Sequence, residues 1–471
     1  MENDTQSSQF DRLLDLVTPT LNELHAISGS RRFWAILLYR YLRNCLIVHK
    51  AQPGLSPAPD IIGDDGDVYG PRAGEMLKSI GCDLRAFAPK PLGPVRRWLE
   101  GFAVGRHHTQ NAADFCTAVF PDGRSIVGEF HSYEALHRFL SPPAAWLPLR
   151  LSANGTIADV HKRKRLRALA TEQDWPLGRL ALNWLPRFYV EEFIGRYRTV
   201  KLQKPEHKEF HVSYLASVAG RFIIARYVEQ GSKLNIYQHA AMYGELEDHV
   251  LHHAECTIAD AFFTWGWQLR DNDIPFFGLR LLPFITQSKA TPTTARHWLY
   301  VNVRQPFAWN QPVTLEVQER FFEALPTRCR QCVVIRPRVN KGGLAINQVS
   351  PKVLGHIDRI DSGKTSMVEL ESQAEVVILD MFPSTTFMEC LVARRPVIAI
   401  VPSGTTFTPL ASGFYDHFFV VGLLHRTPES AAQFLGETPL RQWWHGIETD
   451  GIVAEYMNKF CRTAMDKQIA S

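Results

Sequence analysis

The residues best suited to chemistry sit in two turns, each of which follows an expected strand. The first is Gln238-His239-Ala240-Ala241-Met242-Tyr243-Gly244-Glu245, directly after Lys233 to Tyr237. Gln238 and His239 stand where a polar side chain faces a ligand, and Gly244 permits close backbone approach. A histidine there can donate to a phosphate or carboxylate, or exchange a proton near neutral pH. It can equally be a satisfied structural hydrogen-bonder. The second turn runs from Asp380 to Glu389, after the strand Val376 to Leu379. Its Ser384, Thr385 and Thr386 present hydroxyls together with the free N–H groups of a helix start, which is how phosphate is held without a metal. Glu389, one turn further in, can reach a ribose diol. The same residues also read as a plain capping box, and spacing does not choose between the two.

Arginines stand at equivalent strand ends: Arg304 after Leu299 to Val303, and Arg336 and Arg338 after Cys332 to Ile335. Their planar guanidinium groups suit a diphosphate, a monophosphate or a carboxylate. Asp260 precedes the aromatic block Ala261 to Trp267. An apolar wall there would tune its pKa for service as a nucleophile or base, and a capping role is the alternative. The tryptophans themselves suit a core.

Metal chemistry finds less support. His249, His252 and His253 fall on one helical side, yet the ordered acid of a metallohydrolase motif is missing. Cys329-x-x-Cys332 has no second pair. Asp65-Gly66-Asp67 and Asp271-Asn272-Asp273 match the acidic metal motif of single-domain sugar transferases, but no apolar strand precedes either. Neither G-x-G-x-x-G nor G-x-x-x-x-G-K-[ST] occurs, which weakens dinucleotide and ATP readings. No metal and no cofactor are expected.

With 471 residues, 45% hydrophobic and 21% charged, the chain is globular and long enough for two or three domains. A net charge of +4 is too small over this length to demand nucleic acid. Eight cysteines without regular spacing or a secretory signal suggest reduced thiols in a cytoplasmic protein. Phe33 to Val48 is interrupted by Arg40 and Arg43 and is too short for a bilayer. The dense basic cluster His161 to Arg167 reads either as a solvated helix face or as a peripheral contact with anionic membrane.

Elements must place these turns. Leu13 to Ile47 predicts a helix pair, with Phe33, Leu37, Tyr41 and Cys45 on one stripe. Ala51 to Arg72 predicts a long exposed loop, and Ser125 to Leu140 a strand and a helix. His211 to Gln230 reads as a helix ending at Gly231, followed by strand 233–237, helix 247–258 and strand 261–265. A Gln/Ser/Thr/Pro-rich passage, Pro283 to Thr294, reads as a linker. Beyond it, strands at 297–303, 332–335, 376–380 and 397–401 alternate with helices at 314–325 and 385–393. This alternation predicts an α/β protein with parallel sheets, whose ligands bind beyond strand carboxyl ends.

Several stretches together resemble one family. They are Leu21-Asn22-Glu23-Leu24-His25 with Arg32-Phe33-Trp34, Leu185-Pro186-Arg187-Phe188-Tyr189, Gln238-His239 with Tyr243-Gly244, and Thr264-Trp265-Gly266-Trp267. Ser384-Thr385-Thr386 with Glu389, Pro396, Val421-Gly422-Leu423, Thr427 to Ala432 and Trp443-Trp444 follow in order. The chain from residue 13 to about 445 is thus similar to a transferase family first catalogued in spirochaetes. It bears a more distant similarity to retaining β-Kdo transferases, which use CMP-Kdo, and to CDP-glycerol glycerophosphotransferases. The family's usual Gln-His-Gly-Gly turn is Gln238-His239-Ala240-Ala241 here, and its longer N-terminal region is expected to be replaced by a short leader.

The resemblance implies a GT-B type architecture: two Rossmann-like domains facing a cleft, with an N-terminal helical segment. Residues 1–285 would form the acceptor side, 295–445 the nucleotide side, and 446–471 a C-terminal helix crossing back. It implies a metal-independent glycosyltransferase of polysaccharide and cell-envelope biosynthesis at the inner face of the membrane. Such an enzyme moves a sugar from a nucleotide-sugar to a glycan or lipid-linked acceptor, and the similarity to β-Kdo transferases implies a CMP-linked donor. Donor contacts fall to Gln238, Tyr243, Gly244, Arg304, Arg336, Ser384, Thr385, Thr386 and Glu389. Catalysis falls to Asp260, with His239 or Glu191 as acid/base partner. The alternative is a non-catalytic carbohydrate- or nucleotide-binding protein on the same fold.

Overall fold

The structure, a computed structural model, describes residues 5–51, 116–119, 124–127, 145–148, 159–183, 185–199, 209–213, 215, 218–285, 297–302, 311–337, 339–340, 343–344, 349–355, 357, 359–361, 363 and 365–463. Outside them lie most of the Ala51 to Arg72 passage with Asp65-Gly66-Asp67, the helix expected before Leu140, most of the expected linker, Arg304 and Arg338. The architecture is mixed α/β with parallel sheets and N-terminal helices, as expected. Contacts group the chain into two units, Met1–Tyr237 with Asp248–Phe262, and Gln238–Glu247 with Phe263–Ser471. No described helix is long and apolar enough to cross a membrane.

The first unit opens with α1 (Gln6–His25) and α2 (Arg31–Ala51). α1 buries Phe10, Leu13, Leu14, Val17, Leu21 and His25, a stripe at helical spacing. In α2 the expected stripe Phe33, Leu37, Tyr41 and Cys45 is buried, and so is every residue from Phe33 to Tyr39. An apolar run buried on all sides makes α2 the central helix of this unit, packed by α1 and by three later helices. After α3 (Val160–Glu172) these are α4 (Pro176–Asn183), α5 (Val218–Val228) and α6 (Val250–Ile258).

Its strands are β1 (Cys116–Val119), β2 (Arg124–Val127), β3 (Ala145–Pro148), β4 (Glu209–Val212), β5 (Lys233–Tyr237) and the first half of β6 (Ala261–Thr264). They lie in the order β3-β1-β2-β4-β5-β6. β1 pairs antiparallel with β2 and β3, whereas β2, β4 and β5 run parallel. His211 lies in β4, and the helix expected from His211 begins only at Val218. β4, Glu209-Phe210-His211-Val212, is only four residues long and buried at Phe210, His211 and Val212 alike, so no alternation separates it from the helical pattern that follows. The end of α5 is as expected: Gly231 has φ 94, and Ser232 N–H bonds Tyr227 O at 3.1 Å.

His25, within one of the resembling motifs, is structural. Its Nε2–H donates to Tyr189 O at 2.8 Å, and its ring packs on Phe193 with centroids 4.4 Å apart. Burial lowers its pKa to about 4 against the opposing pull of that carbonyl. His425 of the second unit is likewise lowered to about 4 by burial. Each stays neutral in the folded chain down to about pH 4 but takes a proton near pH 6.5 when unfolded. Their contribution is therefore present above pH 6.5 and lost as pH falls through about 4. Unfolding measured at pH 7, 5.5 and 4.5 should show stability falling across that window by up to about 3 kcal/mol per histidine. His25→Gln should flatten the fall.

The second unit contains β7 (Asp273–Pro275), β8 (His297–Val301), β9 (Val333–Arg336), the small antiparallel pair β10 (Val339–Asn340) and β11 (Gly343–Leu344), β12 (Arg359–Ile360), β13 (Ala374–Leu379), β14 (Val397–Ile400) and β15 (Leu424–His425). Its sheet runs β12-β9-β8-β13-β14-β15 with every pair parallel. Counted within the sheet in chain order this is 3-2-1-4-5-6, the doubly wound dinucleotide-type order. α7 (Gln311–Ala324), α8 (Thr385–Val392), α9 (Pro409–Val420), α10 (Pro428–Glu437) and α11 (Gly451–Phe460) belong to this unit. Tyr300, Phe321, Phe322, Ile335, Ile378, Ile398 and Leu435 share one buried cluster that holds helices to the sheet.

Candidate functional site

The strand order reverses between β8 and β13, which pair with Val301 opposite Leu379. Loops leaving two such strands diverge to opposite faces and open a crevice at their carboxyl ends. The chain leaving β13 there passes through Asp380, Phe382 and Ser384, all buried, and enters α8. Ser384 is the N-cap: its Oγ accepts from Thr386 N at 3.2 Å. Capping is thus real, but it occupies Ser384 alone. Thr385 Oγ1 accepts instead from Ala241 N at 3.1 Å, fastening α8 to the Gln238–Glu245 turn. Acting there as acceptor, the hydroxyl keeps its own hydrogen for a ligand oxygen. Thr386 is half-buried beside it.

Glu389 is 5% exposed, and its Oε1 accepts from Arg280 Nε at 3.0 Å. Near it lies Glu371, 2% exposed, whose Oε1 has no hydrogen-bond partner among the described residues. Burial, then the charge of Glu389, push the Glu371 pKa up to about 9 against Arg395. Glu371 is accordingly a neutral acid at pH 7, which spares the site a second buried anion.

The Gln238–Glu245 turn is built as a rigid support. Gln238 Oε1 accepts from Trp265 N and Trp267 Nε1, both at 2.9 Å, and its Nε2 donates to Ala240 O at 2.9 Å. Trp265 and Trp267 are buried, as suits a core. Gly244 has φ +74, and the close approach it permits is to the Trp267 ring: a Cβ there would meet that ring at 2.5 Å. Glu245 is fully buried, with Oε1 taking hydrogen bonds from Tyr415 and Tyr456 and Oε2 from Met242 N at 2.7 Å. Burial raises its pKa against those three donors. His239 stands half-buried on the same turn, 3.4 Å from the hydroxyl of Tyr243.

The other expected residues have close partners of their own. Asp260, in the first unit, bonds Arg32 Nη2 at 2.6 Å and Leu234 N at 2.7 Å. Its partial burial would raise its pKa, but those bonds and the Arg32 charge prevail and hold it below the ordinary carboxylate range. Glu191, with a side chain 1% exposed, makes a bidentate pair with Arg163. Arg336 in the second unit is paired with Asp361. His253 is 2.7 Å from Asp11, and His249 sits at the N-cap of α6. The basic cluster His161 to Arg167 lies on α3, where Arg163 and Arg165 pair with Glu191 and Glu23.

Sequence reading missed Glu245, Arg280 and Glu371. The only local signal was Glu245 closing a turn that already held Gln238 and Gly244.

Comparison with curated protein sequences gives no significant match. Among solved structures, likenesses are distant. The wall teichoic acid polymerase TagF gives a TM-score of 0.31 at 10% identity over 59% of this chain and 72% of that one. A UDP-forming α,α-trehalose-phosphate synthase from Burkholderia vietnamiensis gives 0.34 at 11% identity over 63% and 76%. MurG from Acinetobacter baumannii gives 0.30 at 12% identity over 70% and 84%. A family model described as LIC12162 family transferase matches residues 157–470, more than half of the chain and inclusive of both turns. The chain therefore belongs to the LIC12162 transferase family.

Proposed function

We propose that the protein is a GT-B type glycosyltransferase whose second unit binds the nucleotide of a nucleotide-sugar. The observation that carries the nucleotide half of this reading is the 3-2-1-4-5-6 parallel sheet with a hydroxyl-bearing helix start at its switch point. Membership in a transferase family supports group transfer, and the sugar half follows from the ordered motif resemblance. Thr385 and Thr386 hydroxyls with the first N–H groups of α8 take phosphate, and Ser384 holds that helix start in shape. Glu389, oriented by Arg280, takes the ribose diol. Fixed dipoles stabilise the charge that develops on the leaving phosphate. A CMP-linked, Kdo-like donor and a surface-glycan or lipid-linked acceptor are the substrates proposed.

Asp260, kept anionic by Arg32, is the proposed catalytic carboxylate. An ionised group serves as nucleophile, base or charge stabiliser and not as acid. Between the two acid/base candidates, half-buried His239 is favoured over Glu191, which is closed off against Arg163.

Calorimetric titration of CMP, CDP, UDP and GDP tests the reading. One nucleotide should bind the wild type, and the S384A/T385A/E389A variant, shown folded by circular dichroism, should bind it at least tenfold more weakly, about 1.4 kcal/mol or more. Absence of binding by any nucleotide, or undiminished binding by the folded variant, would overturn it.

A further inference from the structure

Arg221 lies in the first turn of α5 and is 1% exposed, among the largest fully buried side chains of the protein. Its Nε and Nη1 have no hydrogen-bond partner among the described residues. An arginine cannot shed its proton to escape burial, so a guanidinium in this state requires compensation by an anion. The aromatic contact it makes is a weak substitute: its Cζ is 5.8 Å from the ring centroid of Tyr39, at the outer limit of a cation–π contact.

Geometry says where that anion would sit. Helical side chains lean toward the N-terminus of their own helix, so Arg221 reaches back toward the first N–H groups of α5. The hydroxyl of Tyr39 donates to Leu215 O at 3.1 Å, which places the ring under the guanidinium beside the chain entering that same end. α5 follows β4, a strand parallel to β5, so its start lies beyond a strand carboxyl end, where α/β sheets receive ligands. A buried positive charge and a helix N-terminus there favour the same sign of ligand.

We propose that the start of α5 is an oxyanion-binding site in the first unit, with the Arg221 guanidinium as its charged donor. The ligand is a phosphate or carboxylate group, held by charge-assisted bonds from Nε and Nη1. This site is separate from the helix start at Thr385, and neither reading depends on the other.

Thermal unfolding of the full chain in sodium phosphate, sodium malonate and sodium chloride at matched ionic strength tests it. Phosphate or malonate should raise the wild-type melting temperature over chloride by about 3 °C or more at saturating anion, and the more effective of the two names the ligand class. Arg221→Met should abolish that rise and melt in chloride no lower than the wild type, because it removes an uncompensated buried charge. Arg226→Met, on the same helix, should keep the rise. The proposal is overturned if neither oxyanion exceeds chloride, if the rise survives in R221M, or if R221M melts well below the wild type in chloride.

Discussion

Gly244→Ala is expected to lower the melting temperature by about 10 °C, a loss of roughly 3 kcal/mol or more. Two independent costs combine. At φ +74 an alanine is strained in the left-handed region by about 1 kcal/mol. Its Cβ would also lie 2.5, 2.6 and 2.8 Å from three ring atoms of Trp267. That ring cannot swing aside, since it is 1% exposed and its Nε1–H is bonded to Gln238 Oε1. Overpacking against a fixed aromatic costs about 1–3 kcal/mol. The turn also offers Ala241 N to Thr385, so nucleotide affinity should fall with stability. A Gly244→Ala protein that melts like the wild type would show that the turn is not packed as described.

Glu245→Ala should be more severe, costing about 3–5 kcal/mol. One buried carboxylate satisfies the hydroxyls of Tyr415 and Tyr456 and the N–H of Met242. Removing it leaves three buried donors without their acceptor and a cavity beneath α9 and α11. Glu245→Gln keeps the volume but turns two acceptor oxygens into one, so it should cost less than alanine and more than Tyr415→Phe. Thermal or urea unfolding of the three variants gives that ranking directly. Equal stability of alanine and glutamine variants would contradict the assignment of Glu245 as the hydrogen-bond hub.

What could be read from the sequence follows from how local each determinant is. The β13 to α8 turn was legible because a buried strand, a Ser-Thr-Thr start and Glu389 fall within about a dozen consecutive residues. Ser384 proves to be a cap, one of the two roles its spacing allowed. β5 lies at Lys233–Tyr237, where a strand is expected directly after the helix end at Gly231. By contrast, β4 was hidden because Phe210, His211 and Val212 are all buried, which erases the alternation that marks a half-exposed strand. Glu245 and Arg280 were illegible for another reason. Tyr456 is 211 positions from Glu245, and Glu389 is 109 positions from Arg280. No periodicity spans such separations. Glu371 reads in isolation as an ordinary helix glutamate, and its perturbed acidity exists only once Glu389 and burial surround it.

The most direct test of the account is amide hydrogen exchange of the wild-type chain with and without a saturating nucleotide. Slowed exchange is expected, concentrated in the peptide that carries Ser384 to Glu389, with a smaller effect at Ala241. A nucleotide that binds while leaving that peptide unprotected, or that protects residues elsewhere instead, would contradict the placement of the donor at the β8/β13 switch point.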